Sequence, residues 1–184
     1  VPRSTYGATV RDKWRILGTV LPGRDQVELG ASDLASVMTR FVLLDSEQLE
    51  QRLDLLKTTG TKVTRLDILW RNVAPTRPAD GTDPGDPAYD WTRYDQMIKG
   101  LVARDITPMI TYYWTPTWAS RTGEKNAAPR VADAAAFAAA IARRYNGTWR
   151  DPAGGTLPLV KRLEIWNEPN IATFWFPQCR RQGG

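Results

Sequence analysis

Apolar residues recur along the chain in two alternating patterns, one with the period of a helix and one dense enough for a buried strand. Between Asp45 and Gly60 (DSEQLEQRLDLLKTTG), leucines stand at helical spacing: Leu49, Leu53 and Leu56. This spacing predicts an amphipathic helix. Asp45 and Gln48 have the spacing of a capping box, and Gly60 is a typical stop. The next segment, residues 61–70 (TKVTRLDILW), is rich in Val, Leu and Ile and predicts a strand.

The order of helix and strand then recurs twice. The predicted elements are a helix over 91–104, a strand over 107–114 (TPMITYYW), a helix over 131–145 and a strand over 159–166 (LVKRLEIW). The residues expected to face inward are Tyr94, Ile98, Leu101 and Val102 in the first of these helices and Phe137 and Ile141 in the second. A further strand is predicted near residues 27–34, after an irregular lead-in over residues 1–26.

Strands that alternate with helices predict βαβ units, and therefore a parallel sheet that is either doubly wound or closed as a barrel. Two observations favour the barrel. No GxGxxG or GxxxxGK[ST] motif follows any predicted strand, which disfavours a nucleotide-binding open sheet. The predicted strands also end in polar and aromatic residues, and the active sites of (β/α)8 barrels are built at the carboxyl ends of their strands. The fold class predicted is therefore α/β.

The amino-acid composition narrows the chemistry. The 184 residues contain no histidine and a single cysteine, Cys179, which excludes Ser-His-Asp and Cys-His catalysis, HExxH zinc sites and a disulfide within this sequence. The net charge is +5, but the basic residues are dispersed as on a solvated surface, so no nucleic-acid partner is predicted. No apolar run approaches the length of a membrane-spanning helix, and no membrane partner, metal or cofactor is predicted.

Four segments together carry a family resemblance: LDLLKTTGTKVTRLDILWRNVAP, YDWTRYDQMIKGLVARDITPMITYYWTPTWAS, FAAAIARRY and VKRLEIWNEPN. Over residues 27–176 the chain resembles the first half of a clan A glycoside hydrolase. These are retaining TIM-barrel glycosidases that include family 5 cellulase-like and family 39 xylosidase-like enzymes. The specific signal is Asn-Glu-Pro at the end of the fourth predicted strand, behind an arginine-bearing second strand. The sequence begins with Val1, so a leader removed earlier is one alternative; the resemblance slightly favours an extracellular location.

The resemblance assigns the role of general acid/base to Glu168. Retaining glycosidases need a carboxyl group that first donates a proton to the leaving oxygen and then takes one from water. Asn167 would bond the sugar 2-hydroxyl, as it does in the clan. The neighbouring Trp166, Phe174 and Trp175 predict partial desolvation of the carboxyl, which suits a general acid. The alternative is that Glu168 caps a helix or forms a surface salt bridge.

Arg65 and several aromatic residues are the other candidates for binding substrate. Arg65 and Asp67 share one face of the second predicted strand and should point into the barrel, where an arginine can orient carboxylates. A structural pair of Arg65 with Asp67 or Glu164 is a compatible alternative. Because sugar rings pack on aromatic surfaces, the candidate aromatics are Trp70, Tyr113, Trp114, Trp118 and Trp166. Trp114 and Trp118 are favoured because they flank a proline in a loop, although core packing is the alternative for each.

The resemblance also implies what this sequence lacks. The nucleophile of the clan is a second Glu at the end of the seventh strand, whereas a fourth strand is the last one predicted here, and a complete barrel takes about 250 residues. We therefore expect a truncated glycoside hydrolase domain over residues 27–184, comprising about four βα units of a (β/α)8 barrel. It would act on β-linked oligo- or polysaccharides, and these residues alone would be inactive and would self-associate through exposed sheet edges. A noncatalytic carbohydrate-binding or interaction protein on a half barrel is the main alternative, and a nucleotide-binding domain a weaker one.

Overall fold

The computed structural model describes residues 36–39 and 46–179. Its elements in chain order are β1 (Ser36–Thr39), α1 (Ser46–Thr58), β2 (Val63–Leu69), α2 (Trp70–Val73), α3 (Thr92–Val102), β3 (Thr107–Tyr113), α4 (Val131–Arg144) and β4 (Leu163–Ile165). The helices and strands predicted from residue 46 onward are all present, although β4 is shorter than predicted. The strand predicted near residues 27–34 and the lead-in over 1–26 lie outside the described residues.

The strands form one sheet in the order β1-β2-β3-β4. β3 and β4 run parallel, and their register places Thr111 opposite Glu164. A parallel pair cannot be joined by a tight hairpin, so the chain crosses over through α4 between them. The fold is therefore mixed α/β with parallel strands in one open sheet, and closure into half of a barrel stays a prediction. Within the described residues, no helix has the length and apolar character needed to cross a bilayer.

The described residues divide into two compact units. The first comprises residues 36–39, 46–65 and 100–108. Its core contains the three leucines predicted to face inward, Leu49, Leu53 and Leu56, all of which are buried. Gly100 lies where α1 and α3 meet, because a Cβ at this position would stand 2.4 Å from Cδ1 of Leu53. The close approach of the two helices thus accounts for a glycine near the end of α3.

The second unit comprises residues 66–99 and 109–179, and much of its core is aromatic. The ring of Phe137 stacks on Trp70 at 5.0 Å and on Trp91 at 5.7 Å between centroids, and it meets the edge of Tyr112 at 5.3 Å. Such aromatic contacts stabilise a core beyond the area they bury. The inward placement predicted for Phe137 and Ile141 is confirmed. Several of the abundant tryptophans therefore serve packing.

One inward residue was predicted wrongly. Tyr94, Ile98 and Leu101 of α3 are buried as expected, but Val102 is 41% exposed. Successive helical residues are separated by about 100° around the axis, so Leu101 and Val102 cannot both lie at the centre of one buried face. The core takes Leu101, and Val102 ends the helix at the surface.

Candidate functional site

The backbone is strained where the chain leaves β3 and β4. In the described part of the chain four non-glycine residues have positive φ, and three of them follow these strands: Trp114 (65°), Trp166 (74°) and Glu168 (40°). The left-handed region costs a non-glycine residue about 1–3 kcal/mol, and such strain concentrates at functional sites. The strain therefore indicates a candidate site at the carboxyl ends of the adjacent parallel strands β3 and β4.

The end of β4 is fixed by Trp166. Its backbone N–H donates to the carbonyl of Tyr112 at 3.0 Å, and its indole Nε1 donates to the carbonyl of Phe174 at 2.7 Å. Its ring meets that of Trp175 edge to face at 5.0 Å. The segment after Glu168 therefore folds back onto the end of β4. The turn that carries Glu168 is held before it by the bond from Trp166 to β3 and after it by the contacts of Trp166 with Phe174 and Trp175.

Glu168 lies in this turn with its side chain exposed. The amide Nδ2 of the half-buried Asn167 lies 3.4 Å from its Oε2, which is a long hydrogen bond to a carboxylate oxygen. The partial desolvation predicted from the neighbouring aromatics is not observed, because Trp166 and Trp175 pack on each other instead of covering the carboxylate. No helix begins at Glu168 within the described residues, so the helix-cap alternative is wrong.

A polar row lies on one face of the sheet beside this turn. The hydroxyl of Tyr113 donates to Oδ2 of Asp67 at 3.1 Å, and the hydroxyl of Thr111 donates to Oε2 of Glu164 at 2.5 Å. Thr111 and Tyr113 are two residues apart on β3 and so share a face. The ring of Tyr113 also meets Phe174 edge to face at 5.6 Å. Tyr113 thus connects the buried Asp67 of β2 to the segment that follows Glu168.

We expect Tyr113→Phe to lower the free energy of unfolding by about 1–3 kcal/mol, because it removes a donor from a buried carboxylate while keeping the ring. Tyr112→Phe is the matched control. The Tyr112 hydroxyl donates at 3.2 Å to the neutral carbonyl of Ala134, so its loss should cost less, about 0.5–1.5 kcal/mol. Urea unfolding of the two variants measures both values. Equal losses of unfolding free energy would mean that the hydrogen bond to the Asp67 carboxylate stabilises the protein no more than a bond to a neutral carbonyl.

The five candidate aromatics divide by burial. Trp70 is fully buried, and Trp166 and Tyr113 are nearly so, because they fill the core and the strand ends. These three therefore present no open ring face to a sugar, contrary to the role predicted for them. Trp114 and Trp118 are partly exposed.

Each of the two partly exposed indoles has a cation over its ring. The Nζ of Lys125 lies 4.1 Å from the ring centroid of Trp114, and the guanidinium carbon of Arg77 lies 5.4 Å from that of Trp118. The indole Nε1 of Trp118 donates to the carbonyl of Ala74 at 2.8 Å. The sequence analysis missed both cations. Arg77 and Trp118 follow different strands, and no periodic pattern links them.

Arg65 is half-buried in β2 and belongs to the first unit. The role in binding substrate that the sequence predicts for Arg65 stays a prediction. Across the described ranges, no group of three or more His, Cys, Asp or Glu side chains is placed to hold a metal ion.

No protein-family model matches the chain. Over 85 residues, 45% of this chain, it is 31% identical to human lactase/phlorizin hydrolase and covers 4% of that protein.

Two solved structures with similarity to this one are glycoside hydrolases. A family 39 glycoside hydrolase from the gut symbiont Bacteroides cellulosilyticus WH2 has a TM-score of 0.49 and 18% identity, covering 73% of this chain and 24% of that chain. A monomeric beta-xylosidase from Caulobacter crescentus CB15 has a TM-score of 0.45 and 21% identity, covering 79% and 29%. The chain spans less than a third of either protein. The similarity to glycoside hydrolases predicted from the motifs is confirmed by the identity to lactase/phlorizin hydrolase.

Proposed function

We propose that residues 27–184 form part of a (β/α)8 glycoside hydrolase domain that hydrolyses β-linked oligo- or polysaccharides with retention, and that Glu168 is its general acid/base. The observation that carries the proposal is the position of Glu168, an exposed carboxylate in a strained turn just after β4 and beside Asn167. An exposed group at a strand end can reach a substrate and exchange protons with water. No cofactor is part of the proposal.

The chemistry assigns a role to each neighbour. Protonated Glu168 donates to the leaving oxygen, and its carboxylate then removes a proton from the incoming water. The Asn167 amide orients the carboxylate and would bond the sugar 2-hydroxyl. The backbone and ring contacts of Trp166 hold the turn in place, which preserves the geometry that proton transfer requires.

Retention needs a second carboxylate about 5–5.5 Å from the first. By the family resemblance this nucleophile follows a seventh strand, so we propose that it is not among these 184 residues. Two carboxylates near the strand ends, Asp67 and Glu164, already accept hydrogen bonds from Tyr113 and Thr111. Neither is proposed as the nucleophile, because neither follows a seventh strand as the resemblance requires.

Self-association through the sheet edge is part of the same proposal. β4 pairs with β3 on one side, and its Leu163 and Ile165 are exposed, Ile165 at 66%. An open edge that carries apolar side chains is a common site of strand pairing between molecules.

The test compares the full-length protein that contains this sequence with the 184 residues alone, on aryl β-glucosides and β-xylosides. We expect turnover in the full-length protein, with the β-anomer as the first product by proton NMR, and none in the 184 residues. An α-anomer as the first product would contradict retention. Turnover by the 184 residues that disappears with Glu168→Gln would place the nucleophile within this sequence.

A further inference from the structure

Two exposed guanidinium groups converge on Trp118, in the loops that follow β2 and β3. Arg77 lies over the indole ring at 5.4 Å, and Nη1 of Arg130 donates to the backbone carbonyl of Trp118 at 2.7 Å. Both also face Asp133 of α4, Arg77 at 2.7 Å from Oδ1 and Arg130 at 3.6 Å from Oδ2. Arg77, Trp118, Arg130 and Asp133 are called the arginine cluster below.

The arginine cluster contains two exposed positive charges and one mostly buried negative charge. The side chain of Asp133 is 14% exposed, whereas those of Arg77 and Arg130 are 57% and 50% exposed. Two cations thus face solvent over one largely covered carboxylate, which leaves one net positive charge outward. Lys125 is also exposed in the loop after β3, but the exposed Glu124 beside it offsets its charge. The outward positive charge of the arginine cluster is therefore that of its two guanidinium groups.

The arginine cluster lies on the same side of the sheet as Glu168. The loop after β3, which includes Trp118, is bonded to the segment after Glu168. Nδ2 of Asn126 donates to the carbonyl of Ala172 at 2.8 Å, and the N–H of Phe176 donates to the carbonyl of Asn126 at 2.7 Å. Loops that follow parallel strands emerge at one edge of the sheet. The loop after β3 and the segment after Glu168 are therefore in direct contact.

We propose that the arginine cluster is a subsite for the carboxylate of a uronic acid on a β-linked glycan, so that the preferred substrate is an acidic polysaccharide. The inference rests on the proposed function. Arginine presents a planar fork of donors that matches a carboxylate in a bidentate geometry, which a lysine ammonium does not. Trp118 and Asp133 already hold the two guanidinium groups in place, so less side-chain freedom is lost when the ligand binds.

A purely structural role is the competing explanation. The pair of Arg77 and Asp133 joins the loop after β2 to α4, and this contact alone could account for the cluster. The two explanations differ in one measurable respect. A structural role predicts no preference between acidic and neutral glycans, whereas a subsite predicts a preference that depends on both arginines and weakens as salt screens the charges.

The experiment measures binding by calorimetry to the full-length protein carrying Glu168→Gln, which prevents turnover of the probes. The probes are β-1,4-xylotetraose and the same oligosaccharide bearing one glucuronic acid branch. We expect the acidic probe to bind about tenfold more tightly, as one charge-assisted contact allows. Arg77→Gln and Arg130→Gln should each reduce this preference without changing the affinity for the neutral probe. Arg77→Lys keeps the positive charge but loses the planar pair of guanidinium donors, so it should reduce the preference for the acidic probe only partly.

Arg150→Gln is the matched control, since Arg150 is an exposed arginine outside the cluster. It should leave the preference unchanged. Equal binding of the two probes would overturn the inference and leave the proposed function standing. A preference that survives both glutamine variants would also overturn it, because the anion would then bind elsewhere. Binding of neither probe would overturn the subsite on a xylan backbone, and turnover of aryl β-glucosides and β-xylosides would still decide the proposed function.

Discussion

Replacing Glu168 with glutamine should lower the turnover of natural β-linked substrates by about 10²- to 10⁴-fold in the full-length protein, the usual contribution of general acid–base catalysis. Glutamine keeps the shape of the side chain and its place in the turn after β4, but it cannot donate and regain a proton. Substrates with poor leaving groups depend most on that proton. Activated aryl glycosides should therefore lose less in the first step, and kcat/KM for the two substrate classes measures the difference.

Glu124→Gln is the control for this substitution. Glu124 is an exposed glutamate in the loop after β3, and the loss of its charge should leave turnover unchanged. If Glu168→Gln kept natural-substrate turnover within about threefold of the unchanged protein, far short of the range for an acid/base, Glu168 would not have that role. Loss of one limb of the pH–rate profile in the variant would identify a proton-transfer role, since a structural role does not remove a titrating step.

Helices whose apolar residues recur with a regular period within one segment were predictable from the sequence. The leucine spacing of α1 and the position of Phe137 in α4 depend on helical periodicity, which a single segment displays by itself. The exposure of Val102 was not predictable in the same way, because the width of a buried helical face depends on what packs against it. The short length of β4 has a similar cause, since a strand is defined by hydrogen bonds to a neighbour distant in sequence.

In the candidate site too, features set by a local motif were predictable and features set by tertiary packing were not. The motif containing Glu168 lies directly after a strand, as its sequence context predicted. Whether an aromatic residue is open to a ligand was predictable only in part. The position of Trp118 in a loop with Pro116 favoured it as a surface for a ligand, whereas the sequence around Trp70 did not show that its ring would be buried. Trp70 stacks on Phe137 and is fully buried, whereas Trp118 keeps part of its surface under Arg77. Burial is a property of the assembled core, to which residues far apart in sequence contribute.

The largest effect on stability is expected at Asp95, in α3. Its carboxylate accepts from Nε and Nη2 of Arg144 at 2.9 and 2.5 Å and from the hydroxyl of Tyr145 at 3.0 Å. The side chains of the ion pair are only 9% and 7% exposed. Burial, together with the Asp95 carboxylate, holds the pKa of Tyr145 well above its usual value, so the tyrosine stays protonated and remains a donor.

Asp95→Ala should therefore lower the free energy of unfolding by about 3–5 kcal/mol, because it leaves the Arg144 cation buried without its counter-charge. Urea unfolding followed by tryptophan fluorescence measures the loss, and Trp91, whose ring lies 5.4 Å from the Arg144 guanidinium, is one of the eight tryptophans that contribute to the signal. Asp54→Ala is the control, since Asp54 is exposed in its pair with Arg104 and should cost less than about 1 kcal/mol. Replacing Asp95 and Arg144 together with leucine and methionine should recover most of the stability, because the cost lies in the unpaired charge. A double variant as unstable as Asp95→Ala would instead assign the loss to packing.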